Sequence, residues 1–158
     1  MNRFFAALQC LDKKKGCLLI QFAAKTKMDF SGFDRLLETI RAMDPAEEWR
    51  IAVEFRHSQW YASEIYEILD EFNASMVLHD MPKCLPPELN KKASFVYFRF
   101  HGEKGDYRGS YSLQFLENKA IEIRRWLDRG TDVYAYFNNT IGEAVANLQT
   151  LNKLVGQV

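Results

Sequence analysis

Three observations predict an α/β fold with a parallel sheet. Short apolar segments with a period of two alternate with longer segments whose apolar residues recur at helical spacing. The chain between successive strand-like segments is long enough for a crossover rather than a hairpin turn. Polar residues gather at the C-terminal ends of those strands, on the parity opposite the apolar one.

The elements follow in order. "RFFAALQCLDKK" reads as a helix, or the end of one, stopped near Gly16, and "CLLIQF" (17–22) is a short apolar strand. Phe33, Leu36, Leu37 and Ile40 give "FSGFDRLLETIRAM" helical spacing, and "RIAVEF" (50–55) is the second strand. Ser63 is the expected N-cap of "EIYEILDEF", whose apolar face is Ile65, Ile68, Leu69 and Phe72. "SMVLH" (75–79) is the third strand, followed by a proline-rich loop, and "SFVYFRF" (94–100) is the fourth. A glycine-rich loop leads into the longest helix, "SLQFLENKAIEIRRWLDR", with Gly130 as its C′ residue. "DVYAYF" (132–137) is the fifth strand, and "GEAVANLQTLNKLV" is a closing helix. The order α-β-α-β-α-β-loop-β-α-β-α is that of a parallel sheet with helical crossovers.

Composition narrows the function classes. The chain has 158 residues, 47% of them hydrophobic, a length suited to one domain (1–158) with its own core. Its 21 basic residues balance 21 acidic ones, so net charge gives no electrostatic reason to expect nucleic acid or an anionic membrane. No window has the length and apolarity of a membrane span, and the apolar run in "MNRFFAALQC" is too short for a signal peptide. Cys10, Cys17 and Cys84 form an odd set without CxxC spacing, which suits free thiols in a reducing cytoplasm.

Parity then sorts the strands into two faces. Val96, Phe98 and Phe100 oppose Tyr97, Arg99 and His101. Ile51, Val53 and Phe55 oppose Ala52, Glu54 and Arg56, and Val133, Ala135 and Phe137 oppose Tyr134, Tyr136 and Asn138. In 17–22, Leu18, Ile20 and Phe22 oppose Leu19 and Gln21, while 75–80 is ambiguous, ending in His79 and Asp80 on opposite parities. If the strands are parallel, Gln21, Glu54, Arg56, Arg99, His101 and Asn138 converge on one patch at the edge where parallel α/β folds bind ligands. The plainer reading of the same residues is a structural ion pair between Glu54 and Arg56 or Arg99, because buried charges need partners with or without a substrate.

Three segments carry a family resemblance. "AVEFRHSQWY" (52–61), "VYFRFHGEKGDYRGSYS" (96–112) and "DVYAYFNNTIGEAVANLQTL" (132–151) resemble the YecE-like family, a TIM-barrel family of unknown function. Glu54, Phe55, Arg56, His57 and Trp60 match its first motif. Arg99, His101, Gly102, Tyr107, Gly109 and Tyr111 match the second, and Phe137, Asn138, Asn139 and Asn147 the third. The resemblance implies parallel β/α units of a TIM-type barrel. The family's N-terminal Gly-Ser-Gly-Trp strand and a Glu-Asn strand are missing, as is a proline after the first strand. The chain therefore reads as a partial barrel of about the last five units. Five strands cannot close an eight-stranded barrel, so self-association through unpaired edges is expected if the chain is a true half barrel.

The residue types point to a small anionic or phosphorylated ligand. Arg56 and Arg99 are suited to clamp a phosphate or carboxylate. Gly102, Tyr107 and Arg108 lie in a loop whose backbone N–H groups, with Lys104 and the helix starting near Ser112, are expected to add to that site. Glu54 and His101 are the acid–base candidates, Gln21, Asn138 and Asn139 are orienting groups, and His57 is read as capping the turn before Trp60. A divalent metal would draw on Glu54, His79, Asp80 and His101, but no ligand spacing supports one and none is assigned. The competing classes are a non-catalytic ligand- or nucleic-acid-binding protein and an inactive truncated remnant.

Overall fold

A computed structural model describes residues 1–156. Helix α1 (Asn2–Leu8) runs into a 3-10 turn over Gln9–Lys14, followed by β1 (Cys17–Phe22), α2 (Phe30–Met43) and β2 (Arg50–Phe55). A short 3-10 turn (Ser58–Trp60) leads to α3 (Ser63–Glu71), β3 (Ala74–His79) and β4 (Phe95–Phe100). The remaining elements are β5 (Arg108–Gly109), α4 (Leu113–Leu127), β6 (Asp132–Phe137), β7 (Ile141–Gly142) and α5 (Ala144–Gly156). The five long strands form one parallel sheet in the order β1-β2-β3-β4-β6, while β5 and β7 pair as a separate parallel ribbon.

Every strand of the main sheet lies beside its predecessor in the chain, the winding sense of a β/α barrel rather than of a doubly wound sheet. The sheet is also curled. A flat sheet would set β1 and β4 about 14 Å apart, yet Arg99 Nη1 reaches Gln21 Oε1 at 2.9 Å. Arg50 on β2 likewise reaches Asp132 on β6 at 2.5 Å. These contacts require a concave inner face. The result is a five-stranded, half-barrel version of the TIM-type architecture that the alternation and the resemblance imply.

The core divides by face. Ile51, Val53 and Phe55 meet Phe33, Leu37, Ile40, Ile65 and Leu69 of α2 and α3 on the convex side. Trp60 stacks on Phe55 at 4.8 Å between centroids, a geometry worth about 1 kcal/mol beyond the area it buries. Val96, Phe98 and Phe100 pack with Leu116, Ala120, Ile123 and Leu151 of α4 and α5. The concave side holds Ala52, Val77, Phe95 and Tyr97. Below them, at the N-terminal ends of the strands, the Arg50 guanidinium lies 5.6 Å from the Phe95 ring.

Local signals explain most boundaries. Asp29 accepts from Gly32 N at 2.9 Å to start α2, and Ser112 accepts from Phe115 N at 3.3 Å to start α4. Gly130, at φ +76°, ends α4. Gly130 N donates to Leu127 O and Thr131 N to Trp126 O, the paired bonds of a Schellman cap. Ser63 departs from expectation. It is the first helical residue, Ala62 holds the cap position, and the Ser63 hydroxyl donates to Glu64 instead of accepting a backbone N–H. The first helix is also shorter than its apolar pattern suggests, giving way to the 3-10 turn at Gln9. Residues 80–94 cross from β3 to β4 without a helix. Among the described residues no helix is long and apolar enough to cross a membrane.

Candidate functional site

The patch expected from strand parity exists. β1 and β2 pair in register with Gln21 beside Glu54, and β4 pairs with β6 so that Arg99 lies beside Tyr136. All these strands run the same way, so their polar tips meet at one end of the concave face. Glu54 is at the centre and fully buried. One of its oxygens takes Arg56 Nε and the other takes Arg99 Nη1. The structural ion pair weighed above therefore forms, and it forms with both arginines at once.

Each arginine has further partners. Arg99 Nη1 also donates to Gln21 Oε1, and the Asn138 amide, oriented with its oxygen inward, accepts from Arg99 Nη2 at 2.8 Å. Arg56 Nη2 approaches His101 Nε2 at 3.0 Å and Gln21 Oε1 at 3.4 Å, and Arg56 Nη1 approaches the Tyr107 hydroxyl at 3.4 Å. Arg56 and Arg99 side chains are 9% and 13% exposed, while that of Glu54 is fully covered. The guanidinium groups thus form the lid of a buried carboxylate.

Hydrogen bonding assigns the state of His101. Arg56 can only donate, so His101 Nε2 accepts and the ring proton sits on Nδ1. That Nδ1 faces Asp80 Oδ1 at 3.3 Å, and His101 N donates to the same oxygen at 2.7 Å. The Tyr111 hydroxyl donates to Asp80 Oδ2. Burial would raise the Asp80 carboxyl, but the bonds from His101 and Tyr111 outweigh it and hold the group below its ordinary value. Burial first, and then the hydrogen bond to Asp80 and its charge, push the Tyr111 hydroxyl upward.

Asp80, Tyr111 and His79 complete the region beyond the site residues expected above. Asp80 was readable in principle, being one residue past the end of β3, where the other polar tips lie, but the ambiguous parity of that strand hid it. His79 is buried and held neutral, chiefly by desolvation. Met81 N donates to its Nδ1, which leaves Nε2 as the donor toward Phe55 O at 3.0 Å. His57 caps its turn as expected, accepting from Gln59 N at 3.2 Å.

The glycine-rich loop behaves differently from expectation. Gly102 N donates to the Tyr111 hydroxyl at 2.5 Å, Tyr107 N to His101 O at 2.7 Å, and Arg108 N to Asp106 Oδ1 at 3.2 Å. These N–H groups hold the loop together instead of forming an open anion cradle. Gly102 sits at φ +96°, and a Cβ there would lie 2.5 Å from Arg108 O, so glycine serves a close backbone approach. Arg108 is exposed on β5, whose backbone pairs with β7. Asn139 is fully buried beneath the loop, donating to Gly109 O at 2.9 Å and Asn147 Oδ1 at 3.0 Å. The site residues therefore divide in three. Gln21, Glu54, Arg56, Arg99, His101, Tyr107 and Asn138 form the cluster, Gly102 and Asn139 shape the loop that borders it, and the Arg108 side chain stands exposed on β5.

Among the described residues, no three His, Cys, Asp or Glu side chains gather as a metal-binding group. Glu54 spends its oxygens on arginines, His79 on the backbone, and Asp80 on His101 and Tyr111.

Comparison with known proteins adds a family and a fold. A family model described as "Protein of unknown function DUF72" matches residues 1–158. A DUF72 family protein from Thermotoga maritima MSB8 superposes with a TM-score of 0.76 at 28% identity, covering 99% of this chain and 64% of that one. A DUF72 family protein from Enterococcus faecalis V583 superposes with a TM-score of 0.70 at 22% identity, covering 90% and 61% respectively. The chain thus spans less than two thirds of the length of either solved relative. No curated protein matches.

Proposed function

The chain belongs to the DUF72 family, and from that premise we propose that it binds a small anionic or phosphorylated ligand at the Arg56–Arg99 lid. One observation supports this most directly. Glu54 supplies one negative charge against two guanidinium groups, and the nearby Asp80 carboxylate lies behind His101, engaged by that residue and Tyr111. An incoming anion would match the forked donors of two arginines that already sit at the ligand-binding end of parallel strands.

His101 is the better acid–base group of the two proposed. Its Nε2 lone pair faces the cluster and its Nδ1 is oriented by Asp80, the arrangement of a positioned base. Glu54, with both oxygens committed to arginines, serves as the counter-ion that aligns them. An anion drawing Arg56 toward itself would uncover the His101 lone pair, which couples binding to proton transfer.

The motifs at 52–61, 96–112 and 132–151 support placing the chain in the YecE-like group as a single domain over 1–158. Its strands would then correspond to the last five β/α units of a barrel. The unpaired edges of β1 and β6 favour self-association, and the free thiols favour a cytoplasmic setting.

Calorimetric titration with inorganic phosphate at low ionic strength tests the binding reading. Saturable binding is expected, weakened tenfold or more (roughly, for loss of a charged hydrogen bond) in Arg99→Met. Absence of saturable binding by phosphate, sulfate and acetate alike would overturn it.

A further inference from the structure

Resting on the anion-binding reading, we infer that the ligand carries a flat ring and that Tyr136 is the residue that selects it. Tyr136 is the register partner of Arg99 on the adjacent strand, so the two side chains share the concave face at the same level. The Tyr136 ring stacks on Tyr97 at 4.9 Å with planes 23° apart, and Tyr97 continues the stack to Tyr134 at 6.1 Å. One face of Tyr136 is thus covered, yet the residue remains 46% exposed.

Isolated exposed aromatics are ordinary on protein surfaces. Tyr136 differs in its position and its support. Asn138 ties its backbone to the cluster: the Asn138 amide nitrogen donates to the Tyr136 carbonyl oxygen at 3.3 Å while its own oxygen accepts from Arg99 Nη2. A ring backed by Tyr97 therefore stands on the strand beside that of Arg99, whose guanidinium is held by the Asn138 amide of the same β6 end. That neighbourhood suits a ligand joining a ring to an anionic group, as in an aryl phosphate or an aromatic carboxylate. The ring would lie on Tyr136 in an offset stack while the anion meets Arg99.

The experiment compares phenyl phosphate with methyl phosphate, which present the same dianion with and without a ring. In the unmodified protein phenyl phosphate should bind about tenfold more tightly, the value of one good stacking contact. The ratio should fall to about one in Tyr136→Leu and persist in Tyr136→Phe, which keeps the ring and loses only the hydroxyl. A ratio near one in the unmodified protein, with both phosphates binding measurably, overturns the ring inference and leaves the anion reading intact. A tenfold ratio that survives in Tyr136→Leu overturns the assignment to Tyr136. Failure of both phosphates to bind overturns the anion reading, and this inference with it.

Discussion

Arg99 Nη1 donates to Gln21 Oε1 at 2.9 Å although β4 and β1 are separated by two intervening strands. The same guanidinium nitrogen contacts Glu54 on β2, so one side chain ties three strands of the curled sheet together at their C-terminal ends. Curvature and the charged cluster are therefore mutually dependent. The sheet brings the arginines to the carboxylate, and the pairing resists flattening.

That dependence predicts an asymmetric response to mutation. Glu54→Gln leaves two largely buried guanidinium groups without their counter-ion and should cost about 3–5 kcal/mol of unfolding free energy. Arg56→Met leaves the Glu54–Arg99 pair in place and should cost less. Urea denaturation of the three proteins, read from both midpoint and slope, makes the comparison. Equal losses would show that Glu54 does not organise the cluster.

Stability should fall on acidification in two windows. His79 is held below its ordinary value of 6.5, so the unfolded chain binds its proton first and stability declines as pH drops below 6.5. Asp80 is held below its ordinary value of 3.8. Its contribution is fully present above 3.8 and is lost as pH falls through the lower folded value. Thermal unfolding followed from about pH 8 to about pH 2 should show both declines, the second beginning near 3.8. Asp80→Asn should flatten only the acid one.

Asn147 should prove costlier to truncate than a typical buried residue of its size. Its oxygen accepts from Asn139 Nδ2 at 3.0 Å and Tyr111 N at 3.3 Å, and its own amide donates to Ser110 Oγ at 2.9 Å. Asn147→Ala strands these groups and should cost about 2–3 kcal/mol. Hydrogen exchange at the Tyr111 amide should accelerate with it, because that N–H loses its acceptor.

The three thiols should react in a fixed order. Cys10 is exposed, Cys84 is buried with its thiol pushed up, and burial pushes the Cys17 thiol up to about 11. Iodoacetamide near pH 8 (about half a unit below an ordinary thiol) should modify Cys10 first, as mass spectrometry of partial digests can show. Early modification of Cys84 would mean that the loop over residues 80–94 opens readily.

Much of this was readable before folding was considered. The switch in apolar period located all five long strands, and Gly130 marked the end of α4 because only a residue tolerant of positive φ closes a helix in that way. Parity correctly set Gln21, Glu54, Arg56, Arg99, His101 and Asn138 on one face. It left Asp80 undecided, because the segment 75–80 ends in polar residues of both parities, and it did not bear on Asn139, whose side chain turns beneath the loop. The β5–β7 ribbon escaped notice because two-residue strands are too short to show a period.

Taken alone, the order of residues determined the elements and the side of the sheet to which each polar group belongs, since both follow from the repeat of a local backbone geometry. Only the tertiary structure decided that Glu54 takes two arginines at once, that His101 carries its proton on Nδ1, and that the N–H groups of Gly102, Tyr107 and Arg108 are already bonded. Those outcomes depend on groups distant in the chain meeting across a curved sheet, and no local pattern encodes the curvature.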